Sequence, residues 1–332
     1  MLARAPTRID LAGGTLDIYP LYLLEGEGLT VNLAIDVWSE AQVLPRPQGG
    51  VELVSLDTGS SLEAARAEDL RPEGDLELLV RAIRLLGRDR SLSIRTRSHA
   101  PRGSGLGASS ALLVVLLQAL TGGSLLADDL VRLAQDLETQ TLRVPTGRQD
   151  HHAAVRGGVN AIWFGVGPDR VEPLSEDPAW LEETLVLCYT GVSRASAATN
   201  WRMFRAYVDG HPRARQALGR IGQVARGMRQ AILDRDVAAV GDLLAQEWEH
   251  RRRLAPGVSS PRVDSLVGAA RNAGALAAKL CGAGGGGCLA VVVPPGRRRA
   301  VELALEAAGA VVMPFSVARE GLRTLPEDAL LL

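Results

Sequence analysis

Lysine is almost missing from this chain. Of 332 residues, 37 are Lys or Arg, and Lys279 is the one lysine among them. A lysine-dependent mechanism therefore has a single candidate. The skew toward arginine reads as the mark of a GC-rich genome. Cysteine is nearly as scarce: Cys188, Cys281 and Cys288 form an odd set with no CxxC pair. That argues against a disulfide framework and a thiolate metal site, and points to a reducing cytoplasm. Aromatic residues make up 4%, too few to stack single-stranded nucleic acid. Neither sign of charge is in excess, with a net charge of −1, so a nucleic-acid partner is not expected. The longest apolar run, Ala111–Leu117, falls far short of a membrane span. The start is polar by Arg4 and has no apolar core like that of a secretory leader, so neither export nor a membrane partner is expected.

What is present is ordinary for a folded protein: 46% hydrophobic and 23% charged residues, in a chain long enough for two domains. Leu29–Leu33, Val37–Leu44, Val51–Leu56 and Leu92–Ser98 read as strands, Leu76–Leu86 as a helix. Residues 108–120 predict a helix that is apolar all round and buried. Leu125–Glu138 predicts a second, with Ser124 or Asp128 as its cap. Further on, Thr184–Tyr189, Leu289–Val293 and Val311–Phe315 read as strands, and 213–234, 236–254 and 262–277 as amphipathic helices. Interleaved elements without a repeat argue an α/β or α+β protein in two lobes that split near residues 165–185, divided as 1–180 and 181–332.

Two glycine clusters stand out. The first, PRGSGLGASS over residues 101–110, lies between a predicted strand and a predicted helix. Glycines on alternate positions let backbone approach a ligand, and the free N–H groups opening the helix suit a phosphate. A tight turn with serine caps explains a bare glycine loop equally well. This one is no Walker A loop, because no Gly-Lys-Ser/Thr follows. The second cluster, CGAGGGGC over 281–288, contains a formal GxGxxG. A dinucleotide site needs a strand before and a helix after it. Here a helix-like 262–280 precedes and a strand follows, so that reading fails. Close approach to a ligand or to the other lobe explains five glycines in six positions.

With RAPTRIDLAGGTLD over residues 4–17, these three motifs in this order resemble the GHMP kinases, the superfamily of galactokinase, homoserine kinase and mevalonate kinase. The resemblance spans essentially the whole chain. PTGRQDHHAAVRGGVN over 145–160 and Thr190–Arg194 are similar to the bacterial heptose 7-phosphate kinase group, to which fucokinases are related. The departure is GGTLD over 13–17, where that group usually shows GGGTD.

The resemblance implies a two-lobed GHMP fold, with a ribosomal-S5-like N-terminal lobe and a ferredoxin-like C-terminal lobe. It implies ATP and Mg²⁺ as cofactors and a sugar or sugar phosphate as partner; a homodimer is compatible with it. It implies transfer of a phosphoryl group to the anomeric hydroxyl. Asp150 matches the catalytic base, and Arg8 the cation beside it. ATP would meet Pro101, Gly103, Ser104, Gly105, Leu106, Gly107, Ala108, Ser109 and Ser110. Mg²⁺ would meet Ser109 and Glu138. The acceptor would meet Gly13, Gly14, Thr15, Asp17, Gly147, Gln149 and Arg194. Gly282, Ala283, Gly284 and Gly285 form the third-motif loop. Alone, Asp150 would read as a helix cap, Glu138 and Arg8 as solvated charges, and Asp17 as a turn cap. His151 and His152 read as structural, since adjacent side chains diverge and no third ligand is evident. Lys279 reads as a phosphate contact or a helix C-terminal cation. The competing readings are a galactose, fucose or mevalonate-type kinase and a non-catalytic ligand-binding regulator.

Overall fold

The apolar runs near the N-terminus build one long antiparallel pair rather than several short strands. β1 (Leu2–Ala12) pairs along its length with β2 (Gly28–Pro45), an 18-residue strand where two were expected. Leu29, Val31, Leu33 and Ile35 of β2 all face the core, and the pairing with β1 runs on past the expected break through a bulge, Pro6 standing opposite Trp38 and Thr7 opposite Ile35. In this computed structural model, which describes residues 1–193, 197–326 and 331, two sheets organise the chain.

The first sheet adds β3 (Val51–Ser55), β4 (Ser60–Ala64), β5 (Leu92–Ser98), β6 (Val159–Phe164) and β7 (Arg170–Pro173). Its order is β12 (Arg323–Leu325), β1, β2, β5, β3 and β4, with β6 and β7 branching from the first half of β2. The closing strand β12 comes from the far end of the chain and pairs with β1. Residues 316–318 also bond to β2, through Asp36 N to Ser316 O (3.0 Å) and Ala318 N to Ala34 O (2.9 Å). The second sheet, β11-β8-β10-β9, is antiparallel throughout: β8 (Leu185–Tyr189), β9 (Ala277–Leu280), β10 (Cys288–Val292) and β11 (Val311–Met313).

The helices are α1 (Leu21–Leu24), α2 (Glu77–Leu86), α3 (Ala108–Leu120), α4 (Ala127–Leu142), α5 (Gln149–Arg156), α6 (Ala179–Thr184), α7 (Ala197–Val208), α8 (Pro212–Leu233), α9 (Val237–Arg251), α10 (Pro261–Asn272) and α11 (Arg298–Ala307). As its composition predicts, α3 is buried nearly all round. The cap expected for α4 is absent: its N-cap is Leu126, and Asp128 instead pairs with Arg156 at 2.5 Å. Asp236 and Ser260 do cap α9 and α10, accepting from Ala239 N (3.0 Å) and Val263 N (3.4 Å).

One correction bears on the site. The helix expected over 262–277 ends at Asn272, and residues 277–280 form β9. The Gly274 turn stops the helix, and β9 is apolar except for Lys279. The second glycine cluster is therefore a hairpin loop between β9 and β10. It is still no dinucleotide site, because a strand and not a helix follows it. Trp248 lies in the core, whereas Trp201 is 41% exposed and stacks on Phe204.

Candidate active site

Strand alternation places Arg8 and Asp10 on one face of β1, with Ile9 and Leu11 in the core behind them. The chain then turns sharply. Gly13 sits at φ +87°, and a Cβ there would fall 1.9 Å from Leu29 O. Only glycine permits this approach. Asp17 closes the turn by accepting from Thr15 N (3.1 Å), and reaches across to accept from Gln149 N (3.0 Å). Gly147 leaves room for it: a Cβ at that residue would lie 1.9 Å from Asp17 Oδ2. Gly13, Gly14, Thr15, Asp17, Gly147 and Gln149 thus converge. Arg194 lies outside the described residues.

The first glycine loop joins β5 to α3. Gly103, Gly105 and Gly107 all take left-handed φ values, between +66° and +74°. Gly107 stands at the N-cap of α3 without a capping side chain, so the first N–H groups of the helix stay free for an anion. Leu106 pins the loop to the core and accepts from Arg8 N at 2.9 Å. Beside it opens a pocket with Leu76, Leu79 and Ala100 on its walls and Ser109 on its rim.

Arg8 bridges this loop and the start of α5. Its Nη1 donates to Gly105 O (2.5 Å), while Nε (2.9 Å) and Nη2 (2.6 Å) meet Asp150 Oδ1. Arg8 is 4% exposed and Asp150 24%, so the pair opens on one side to the cleft. Burial alone would lower the Arg8 pKa, but Asp150 and Asp10 outweigh it and hold the guanidinium charged. Gly107 lets Asp150 approach: a Cβ there would sit 3.0 Å from the Asp150 carboxyl carbon.

Two further carboxyls line the cleft. Burial pushes Glu138 up to about 8, reinforced by Asp150 and only partly offset by a hydrogen bond from Ser110 Oγ (2.9 Å). Burial likewise raises Asp17 to about 6, against the bond from Gln149 N. Helical geometry separates the two serines of α3. Ser110 turns in to Glu138, whereas Ser109 faces the neighbouring pocket and makes no contact with Glu138. Buried carboxyls with raised pKa values and a facing hydroxyl are an oxygen donor set that fits Mg²⁺. Among the described residues no three His, Cys, Asp or Glu side chains form a metal cage. Such an ion would complete its shell with phosphate oxygens and water.

Both histidines are buried in α5. His152 Nε2 lies 2.9 Å from Asp169 Oδ2, and Asp169 Oδ1 accepts from Arg148 Nη2 (2.6 Å). His151 is fully buried and 3.5 Å from Glu138, and burial drops its pKa to about 3, keeping it neutral. The third-motif hairpin brings Gly282 and Ala283 to the mouth of the cleft, while Gly284 and Gly285 turn away onto Val258, where Gly285 N donates to Val258 O at 2.7 Å. Sequence reasoning missed Asp10, Glu247 and Arg251, and misplaced Lys279. Lys279 is fully buried in a strand, 3.0 Å from Asp10 Oδ2 and 3.4 Å from Glu247. The i, i+4 spacing of Glu247 and Arg251 was the available signal.

Two family descriptions match this chain: "GHMP kinases N terminal domain" over residues 77–158 and "GHMP kinases C terminal" over 228–311. A mevalonate kinase of Pyrococcus horikoshii is 32% identical over 70% of this chain and 68% of its own. The chain belongs to the GHMP kinase family. This GHMP kinase is also 28% identical to a D-glycero-alpha-D-manno-heptose 7-phosphate kinase of Campylobacter jejuni, over 97% of each chain. The solved D-glycero-D-manno-heptose 1-phosphate kinase of Bacteroides thetaiotaomicron matches at 28% identity and a TM-score of 0.77, over 97% of each chain. As a GHMP kinase it is a phosphotransferase with the family's α+β fold and its use of ATP. None of its described helices is long and apolar enough to cross a membrane.

Proposed function

We propose that this GHMP kinase moves the γ-phosphoryl group of ATP to the anomeric hydroxyl of a manno-configured heptose, D-glycero-D-manno-heptose 7-phosphate above others, in the cytoplasm. Its two lobes, 1–180 and 181–332, would enclose the site, with 316–325 crossing back to the first sheet. One observation carries the reading. A single side chain, Arg8, touches both the glycine loop that suits phosphate and the carboxylate that faces the acceptor turn. Donor and acceptor would therefore meet at Asp150. The heptose choice rests on the two heptose kinases that match along nearly the whole chain.

Phosphoryl transfer asks for positioning and charge neutralisation more than covalent chemistry. The glycine loop and the opening turn of α3 would hold the phosphates through backbone N–H groups. Asp17 and Gln149 would fix the sugar hydroxyls. Asp150 would accept the proton of the attacking hydroxyl, and Arg8, unable to take a proton itself, would balance the charge that develops on the acceptor oxygen and phosphoryl group. The anomeric hydroxyl is the most acidic of a reducing sugar, so a carboxylate suffices there. Glu138, with Ser110 or Ser109, would hold Mg²⁺, which neutralises phosphate charge when bound. The identity with mevalonate kinases favours a second reading, a non-sugar alcohol as acceptor. An ATP-consumption panel of free and phosphorylated sugars plus mevalonate separates the two. Phosphorus NMR and a reducing-end assay then locate the new phosphate. A product that still reduces overturns the anomeric assignment, and turnover of mevalonate alone overturns the sugar.

A further inference from the structure

Behind the acceptor turn lies a group of four charges that the mechanism above does not use. Asp10 on β1, Glu247 and Arg251 on α9, and Lys279 on β9 are each at most 1% exposed. Lys279 Nζ donates to Asp10 Oδ2 (3.0 Å) and to Asp10 O (2.9 Å), and lies 3.4 Å from Glu247 Oε2. Glu247 Oε1 accepts from Arg251 Nε (2.8 Å) and Nη2. The guanidinium directs two further donors to the turn: Nη2 to Gly14 O (2.9 Å) and Nη1 to Thr15 Oγ1 (3.4 Å). Two positive and two negative charges cancel, so the group is neutral; Asp10 and Arg251 form part of the cleft wall, with Lys279 and Glu247 behind them.

The turn needs holding. Thr15 sits at φ +81°, a conformation that a β-branched residue takes only under constraint from its surroundings. Gly14 is wedged against the same group: a Cβ there would be 2.8 Å from Asp10 Oδ2 and 3.1 Å from Arg251 Nη2. Buried ion pairs seldom add net stability over apolar packing, so four buried charges at one place call for a task other than stability. We infer that the Lys279–Glu247–Arg251–Asp10 group is a positioning device that clamps the strained acceptor turn, with Lys279 as the pin that locks both carboxylates. Lys279 thereby sets acceptor affinity from the second lobe without touching the acceptor. This rests on reading Gly13–Asp17 as the acceptor turn.

Lys279→Met tests it, beside the neutral double variant Lys279→Met with Glu247→Gln. The acceptor is whichever alcohol the native enzyme phosphorylates, so an error about the sugar does not enter. Lys279→Met should raise the acceptor KM by about tenfold or more and leave the ATP KM within about twofold, the split expected of a residue serving one substrate. The double variant restores charge balance and should regain most of the lost Tm. Its acceptor KM should stay high, because Arg251 is no longer held toward Gly14. Should the acceptor KM return to native together with Tm, the lysine merely balances charge and the inference fails. If Lys279→Met does not fold, the double variant alone decides by the same criterion. If instead the ATP KM rises and the acceptor KM does not, the acceptor-turn reading is wrong. Hydrogen exchange at residues 13–17 then judges the clamp, and exchange unchanged from native overturns it.

Discussion

The two glycine-rich loops dock on one another, backbone to backbone, yet glycine serves each differently. In the hairpin between β9 and β10 it serves neighbouring chain. A Cβ on Gly287 would lie 2.5 Å from Ser104 O, one on Gly284 2.6 Å from Val258 O, and one on Gly286 2.6 Å from Val192 O. In the loop before α3, Gly105 meets Cys281 O in the same way, but Gly107 faces the Asp150 carboxyl and leaves the helix N-terminus bare. Glycine content alone does not distinguish a packing seam from a phosphate cradle. The element that follows does: a helix supplies free N–H groups, whereas an antiparallel strand has already paired its own.

The largest expected effect falls on the carboxylate that the first loop exposes. Asp150→Asn keeps the shape and loses the charge, so kcat should drop by roughly 10²–10⁴-fold, the usual range for a general base, with ATP affinity nearly unchanged. Native turnover in single-turnover assays would remove Asp150 from the reaction. The loops themselves come next. Gly107→Ala puts a methyl group against Asp150 at a left-handed φ, so about tenfold or more of kcat should go. Gly284→Ala should instead cost about 1–3 kcal/mol of stability, read as a Tm lower by several degrees, with kcat of the folded enzyme kept. Equal kcat losses in the two variants would erase the distinction between the loops.

Much of this was legible in the residues. The apolar α3, both glycine loops and the order of motifs are written in composition and spacing, and Arg8, Asp17 and Asp150 do converge in space. What stayed hidden depends on partners far along the chain. β9 reads as helix because Ala277, Ala278 and Leu280 carry no strand preference of their own, and only pairing with β10 makes them one. Ser109 and Ser110 are equivalent in sequence, and helix rotation alone turns the second toward Glu138. The tetrad of buried charges joins residues 10, 247, 251 and 279, and only its Glu247–Arg251 pair has a local pattern.

A third, smaller effect concerns pH. Glu138 titrates near 8 in the folded protein against an ordinary 4.5, so the folded state binds the extra proton. Stability of the metal-free protein must then fall as pH rises toward 8. Between pH 7 and 8, above the folded value of Asp17 and the unfolded value of His151, the loss should be on the order of 1 kcal/mol. Denaturant melts of Glu138→Gln should be flatter there, and an equal slope would contradict the buried-carboxyl picture. Smallest is the split between neighbouring hydroxyls. Ser110→Ala should raise the Mg²⁺ concentration for half activity several-fold, the scale of one lost hydrogen bond to a charged group, while Ser109→Ala should leave it near native. The reverse order would place the ion on the side of the neighbouring pocket.

The lone lysine also matters to the experimenter. Its ammonium is sealed between the sheets, so a folded molecule offers amine-directed reagents no side-chain handle. Acylation or amine cross-linking of the native enzyme is confined to the amino terminus, itself tied to Val43 O at 2.8 Å. A second label can appear only when the junction between β1, α9 and β9 opens. Mass spectrometry of that single added tag would therefore serve as a one-site clock for the opening of this part of the molecule.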